Sequence, residues 1–524
     1  MLLRSGRNCV AEWPLGRADG EDPSASVDVI VSTPSGRELR VPTFEGADDA
    51  LRVRYASGEV GAHAWRVDGE GEFPREAGEI EITDYEGANP LFEHGPLQLS
   101  EDRRHLRQAD GTPFFWLGDT WWMALCERLR WPDEFRRLTA DRVAKGFNVI
   151  QLVAGLYPDM NAFDPRGDSE VGWPWTAEWK AINPAWWDLA DLKIEWLVAH
   201  GLMPCILGSW GYYLPWLGVE RFKRHWREMI ARWGAYPVVW CLAGEGAMPW
   251  YLREDKEQAA AEQRAGWTEV GRYVREADPF GRLVTIHPTR RGREQVEDDS
   301  VLDFEMLQTG HGDRRSLPNT VRSVRDAYEH EPTMPVINAE VCYEGIVESC
   351  REEVQRMMFW VSLLGGTCGH TYGANGIWQF NRREEPFGPS PHGRSWGDRP
   401  WDEVMELPGS AQMGVARRLL ERFEWWRIEP HPEWVEPRWS EDDFMAPFAA
   451  GIPGELRIFY LFNALPEPTV HGIEPGAGYD AMLVNPSTGE RESLGVASGD
   501  DDGAWRVPLI RMRRDWLVVL TRQR

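Results

Sequence analysis

FFWLGDTWW (114–122), WPDEFRRLTADRVAKG (131–146) and FNVIQLVAG (147–155) decide the fold between them. The outer two are apolar runs of strand length, and the middle one alternates charge and apolar residues on a helical period before stopping at Gly146. Strand, helix and strand in that order imply a crossover that leaves the two strands parallel. The pattern then repeats along the chain. Strand-like runs recur at LMPCILGSW (202–210), VVWCLAGE (238–245), RLVTIHP (282–288), FEMLQTGH (304–311), PVINAEVCYE (335–344) and GTCGHTYGANGIW (366–378). Helical stretches such as PAWWDLADLKIEWLVAHG (184–201) and GVERFKRHWREMIARWG (218–234) lie between them. The unit between the fifth and sixth runs is the weakest, because RRGREQVEDDS is almost wholly polar. Eight strands with intervening helices predict an α/β fold, a closed (β/α)₈ TIM barrel. A doubly wound open sheet would carry a Gly-rich phosphate turn after its first strand, and there is none.

On either side the texture changes to short alternating runs broken by Gly, Pro and Asp. Before the barrel stand VDVIVSTP, ELRVPTF, LRVRYASG, HAWRVDG and GEIEITDY; after it come ELRIFYLFNA, DAMLVNPSTG and DWLVVLTRQR. These predict antiparallel β-sandwich domains at both ends. The expected division is 1–95, 96–427 for the barrel, and 428–524.

The net charge of −26 excludes a broad nucleic-acid surface, which needs clustered Lys and Arg. Seven Cys without a C-x-x-C pair fit reduced thiols. The opening MLLRSGRNCVAEWPLGRADGEDP has no apolar run of secretory length, and no stretch is long enough to span a bilayer. A cytoplasmic protein with no membrane partner is expected; its oligomeric state is not legible. The 29 Trp point to aromatic platforms beside ordinary core packing.

In such a barrel, chemistry sits at the C-terminal ends of the strands. Those ends carry Asp119, Trp121 and Trp122, then Gln151, then Ser209 and Trp210, then Glu245. The second half supplies His287, Gln308, His311, Asn338, Glu340, Tyr343 and Glu344, and lastly His370, Tyr372, Asn375 and Trp378. Glu245 ends a run apolar enough to be buried, which would raise its pKa toward that of a general acid; a helix-capping Glu is the plainer reading. Glu340 has Tyr343 close enough to orient an ionised carboxylate, with Glu344 as competitor and a rim ion pair as the plainer role. Carboxylates on strands four and seven face one another across the mouth. A separation of about 5–5.5 Å gives retention by double displacement, and about 6.5–9.5 Å gives inversion. Trp121, Trp122, Trp210 and Trp378 suit the apolar faces of sugars, while Asp119, Gln151, His287, Gln308, His311, His370 and Tyr372 suit their hydroxyls. His287, His311 and His370 show neither H-x-x-x-H nor H-x-H spacing, so neither metal nor other cofactor is expected. No G-x-S-x-G elbow exists for a serine nucleophile.

DGTPFFWLGDTWW (110–122) followed by DRVAKGFNVIQLV (141–153) resembles the opening of the apiosidase-like glycoside hydrolases, a family of retaining (β/α)₈ enzymes. VVWCLAGE and INAEVCYEG (337–345) resemble its acid/base and nucleophile segments, and the flanking β-regions have counterparts in it. The resemblance implies Glu340 as nucleophile and Glu245 as acid/base. It departs where the family commonly has Asp after the Gly of strand four and this chain has Glu245. The expectation is a retaining glycosidase acting on small glycosides or oligosaccharides; the alternative is a carbohydrate-binding protein on a TIM-barrel scaffold without catalysis.

Overall fold

The structure is a computed structural model, and it describes residues 2–17, 27–70, 73–176, 179–462, 467–510 and 514–523. All eight strand-like runs form one parallel sheet: β1 (Trp116–Thr120), β2 (Val149–Val153), β3 (Met203–Leu207), β4 (Val239–Cys241), β5 (Val284–Thr285), β6 (Glu305–Gln308), β7 (Val336–Glu340) and β8 (Gly369–Tyr372). Every residue of these strands is buried, as expected of strands covered on both faces. Ladder bonds run in the order β5-β4-β3-β2-β1-β8-β7-β6, so β1 pairs with β8 and the sheet curls into a barrel.

Closure between β5 and β6 is looser. The Asp303 N–H donates to the Val284 carbonyl at 2.8 Å and Thr285 Oγ1 to the Phe304 carbonyl at 2.9 Å, in place of a ladder. The crossover there contains no α-helix among the described residues; two 3₁₀ turns, Gly292–Gln295 and Asp299–Val301, take its place. The polar RRGREQVEDDS has no apolar stripe to lay against the sheet. Its arginines instead grip buried Glu305, with Arg291 forking onto both carboxylate oxygens at 3.0 Å. The other crossovers are helical: α1 (Asp133–Ala144), α2 (Pro184–Ala199), α3 (Val219–Trp233), α4 (Lys256–Ala277), α5 (Leu317–Tyr328), α6 (Glu352–Leu364) and, after β8, α7 (Pro408–Leu420). α2 starts on proline, whose missing N–H costs nothing in a first turn.

Before the barrel, Leu2–Gly6, Ala77–Thr83, Gly61–Asp68, Asp28–Ser32 and Glu38–Pro42 make one sheet, and Ala11–Gly16, Leu51–Tyr55 and Phe44–Glu45 another. Their inner faces share a core containing Trp13, Val29, Val53 and Trp65. The pairing is antiparallel except at one edge. There Leu2–Gly6 runs parallel to Ala77–Thr83 at the edge of an otherwise antiparallel sheet. After the barrel, a six-stranded and a three-stranded sheet pair only antiparallel among the described residues, over a second core around Phe459, Tyr479 and Val518. Arg356 of α6 ties that end to the barrel through a fork onto Asp515, both bonds 2.7 Å. Arg54 ties the other end, donating to Asp191 on α2 at 2.9 Å. Among the described residues no helix is long and apolar enough to cross a membrane.

Candidate active site

A cavity of about 270 Å³ opens at the C-terminal ends of the strands, and both candidate carboxylates line it. Glu340 reaches it through a register change. Along β6 and β7, Leu307 stands opposite Asn338 but Gln308 opposite Glu340, so Ala339 is the extra residue of a β-bulge. Strict alternation would aim Glu340 the same way as Asn338, whose side chain donates outward to Ser362 on α6 at 2.9 Å. The bulge turns Glu340 inward instead.

The Glu340 carboxylate is densely held. Tyr343 donates its hydroxyl proton to Oε2 at 2.6 Å and receives the Trp122 indole N–H at 2.9 Å. His311 Nε2 lies 2.8 Å from Oε1, and His287 Nε2 lies 3.4 Å from Oε2. Burial on its own would raise the Glu340 pKa, but the bonds and charge of His287 and His311 outweigh it and hold the carboxyl down at about 2. Burial likewise works against a charged His311, and Glu340 reverses that, raising the imidazole above its ordinary value.

Glu245 follows β4 in a left-handed conformation, φ +45°, which costs a residue with a Cβ and which sites of chemistry tolerate. Its carboxylate accepts the Trp210 indole N–H at 3.2 Å and the Gln308 amide at 3.1 Å. Burial pushes it up to about 7, with the Glu340 charge adding to the rise and the two donors only partly offsetting it. Two glycines make room for these groups. A Cβ on Gly244 would stand 2.2 Å from the Trp210 ring, and one on Gly373 would stand 2.2 Å from the Tyr343 ring.

The structure brings Trp122, Trp210, Glu245, Gln308, His311, Glu340, Tyr343 and Trp378 together on one cavity wall. His287 is fully buried behind it, edge-on to Trp122 at 5.1 Å, and backs Glu340. Five other candidates lie elsewhere. Asp119 faces outward and pairs with Arg142 of α1 at 2.5 Å, also accepting the Trp121 N–H at 2.7 Å. Trp121 packs edge-on to Phe135 and Phe380. Gln151 lies inside the barrel, giving its amide to Ala339 and accepting from Thr371, both at 3.1 Å. His370 packs on Phe359 of α6, and burial drives its pKa down to about 3. Tyr372 donates to buried Glu344 on the same outer side. These five are thus corrected from sugar contacts to structural groups. β-alternation turns Asp119, His370 and Tyr372 away from the cavity, Trp121 follows the end of β1 and bonds to Asp119, and Gln151, at the middle of β2, points into the barrel without lining the cavity.

The cavity also includes residues absent from the sequence-based candidates: Asp159, Met248, Tyr251, Ile346, His392 and Trp396. They come from the long connections after β2, β4, β7 and β8. The stretch NRREEPFGPSPHGRSWGDRPW (381–401) has no periodicity; its isolated aromatic and His residues were the one available signal. Among the described residues, no group of three or more His, Cys, Asp and Glu is arranged to hold a metal ion.

Residues 100–427 match the family description "Apiosidase-like, catalytic domain". Among solved structures, the chain is similar to one titled "Glycoside hydrolase", at 23% identity over 83% of this chain and 98% of that one, with a TM-score of 0.66. It is similar to a glycoside hydrolase family 5 protein from Bacteroides vulgatus, at 22% identity over 83% and 95%, with a TM-score of 0.66. A putative glycoside hydrolase from the same species matches 99% of this chain and 100% of its own at 14% identity, with a TM-score of 0.72. At these identities the solved structures speak for the fold alone. No curated protein matches the chain.

Proposed function

This chain belongs to the apiosidase-like family of glycoside hydrolases, and from that premise we propose that it cleaves glycosidic bonds with retention, Glu340 acting as nucleophile and Glu245 as acid/base. The observation that carries the reading is that two carboxyls line one cavity in opposite settings: Glu340 is held by Tyr343 and His311, whereas buried Glu245 has only the Trp210 and Gln308 N–H donors, which sets their pKa values apart, at about 2 and about 7. Carboxyls whose surroundings drive their pKa values apart take opposite roles.

Below neutral pH, Glu340 is an anion fixed by Tyr343 and His311, and most of Glu245 keeps its proton. Glu340 attacks the anomeric carbon while Glu245 protonates the departing glycosidic oxygen, leaving a glycosyl ester on Glu340. Forming the ester removes the Glu340 charge, the larger of the two neighbouring carboxylate charges that add to burial in raising Glu245. The pKa of Glu245 then falls, and as the base it takes a proton from the water that hydrolyses the ester. Trp122, Trp210 and Trp378 supply aromatic walls for the apolar faces of a sugar.

The test is a panel of aryl α- and β-glycosides, pyranosides and furanosides, with NMR of the first sugar released. The expected result is one active glycoside, retained configuration, and loss of activity in both Glu340→Ala and Glu245→Ala. Azide should rescue Glu340→Ala as a glycosyl azide of inverted configuration. An inverted first product refutes retention, and silence across the panel points to a binding protein without catalysis.

A further inference from the structure

Asp159 is a third carboxyl on the cavity wall; its charge adds to the rise of Glu245, but no step of the chemistry above is assigned to it. It lies in the connection after β2, in a left-handed conformation of φ +56° that Asp tolerates better than most residues. It is 7% exposed, and no ion pair involving it is formed among the described residues. One oxygen accepts the Tyr251 hydroxyl at 2.6 Å, from the connection that leaves Glu245, and the other accepts the Trp396 indole N–H at 2.9 Å, from the connection after β8. His392 stacks on Tyr251 at 4.7 Å, with the rings 8° apart. One buried carboxyl therefore holds three separate loops around the catalytic pair.

Two bonds do not exhaust it. A carboxylate offers about four lone-pair positions, so about half remain for something in the cavity. A structural clasp made of neutral donors could have used an amide at lower desolvation cost. The composition of the wall limits what that something is. Glu340 and Asp159 line it beside Glu245; His311 is engaged by Glu340, His392 stacks on Tyr251, and no Arg or Lys lines it among the described residues. Hydroxyl donors suit such a wall, whereas a second carboxylate would be repelled.

We propose that Asp159 is the specificity-determining residue of this site, accepting hydrogen bonds from hydroxyls of an uncharged sugar and excluding uronic acids. This rests on the glycosidase reading and adds a substrate class to it. Burial raises the Asp159 pKa, with Tyr251 and Trp396 opposing the rise, so the same contacts that shape the clasp also favour its ionised, hydroxyl-accepting form.

Asp159→Asn isolates the charge. The amide oxygen still accepts from Trp396, and the amide N–H₂ donates to the Tyr251 oxygen, so the clasp survives. Wild type and Asp159→Asn are compared on the active neutral glycoside, its monodeoxy analogues and the matching uronide. On one deoxy analogue wild type should lose about 10- to 100-fold in kcat/KM, the worth of a hydrogen bond to a charged group. Asp159→Asn should lose that factor on the parent and nothing further on that analogue, and its preference for neutral sugar over uronide should shrink. Equal losses in both proteins on every analogue overturn the proposal and leave Asp159 as a loop tie. If no glycoside turns over, the glycosidase reading fails separately, and calorimetric titration with the free neutral sugars and uronates decides. Neutral sugars bound at least about 10-fold more weakly by Asp159→Asn support the assignment. Equal affinity, or no sugar binding by wild type, overturns it.

Discussion

Tyr343 donates a 2.6 Å hydrogen bond to Glu340 from three residues further along the chain, and is itself anchored by the Trp122 N–H at 2.9 Å. The phenol helps hold the ionised form of Glu340, the proposed nucleophile. Tyr343→Phe removes that donor and leaves the Trp122 N–H unpaired in a buried site. The expected loss in kcat/KM is about 10- to 100-fold. The Glu340 pKa should rise, so the acidic limb of the pH–rate profile moves to higher pH. A profile displaced only vertically would show that Tyr343 orients substrate without tuning Glu340.

In the proposed mechanism Glu245 must be protonated to act as the acid, and burial pushes its pKa up to about 7. kcat/KM, which reports the free enzyme, should therefore fall about tenfold per pH unit above pH 7. With Glu340 held at about 2, no matching fall is expected between pH 4 and 6. Gln308→Leu removes a donor that stabilises the ionised Glu245, so its descending limb should move upward in pH. A limb that stays in place would assign the titration to another group.

The same shift has a cost in stability. The folded-state pKa of Glu245 lies above its unfolded value, so between about pH 4.5 and 7 the folded protein binds more protons than the unfolded chain, and stability falls as pH rises. A rise to about 7 corresponds to about 3 kcal/mol at pH 8. Glu245→Gln, which cannot ionise, should be more stable than wild type by up to that amount at pH 8 and by little at pH 4. Urea unfolding at the two pH values measures it.

Asp119 is expected to matter for folding and not for sugar. It and Arg142 are both fully buried, so removing one charge strands the other. Asp119→Ala should lose about 3–5 kcal/mol. In the fraction that remains folded, KM for the active glycoside should be unchanged. A selective rise in KM with normal stability would return Asp119 to the substrate site.

The barrel was legible because its signal is local. VVWCLAGE and PVINAEVCYE are continuous apolar runs, as strands buried on both faces must be, and the helices between them carry their own starts and stops. The crossover without apolar periodicity, RRGREQVEDDS, is the one that lacks an α-helix among the described residues. That Glu245 and Glu340, the pair proposed as catalytic, share one cavity was legible because a Glu at the end of such a run has few places to go. Asp119, Gln151, His370 and Tyr372 end the same kind of run, yet they face Arg142, the barrel interior, Phe359 and Glu344. Shifting one residue along a strand reverses the face, and strand ends cannot be placed that finely from composition.

Length, hydrophobic period and the position of Glu after apolar strands determined by themselves the eight-stranded parallel sheet and the strands that bear the two carboxyls. Only the tertiary structure decided which way each strand end faces, that a bulge at Ala339 turns Glu340 into the cavity, and that Asp159, Tyr251 and Trp396 meet there from three loops. The reason is physical. Secondary structure follows from neighbours a few residues apart. A cavity is built from contacts across hundreds of residues, such as the 237 between Asp159 and Trp396, and nothing local to either residue encodes the other.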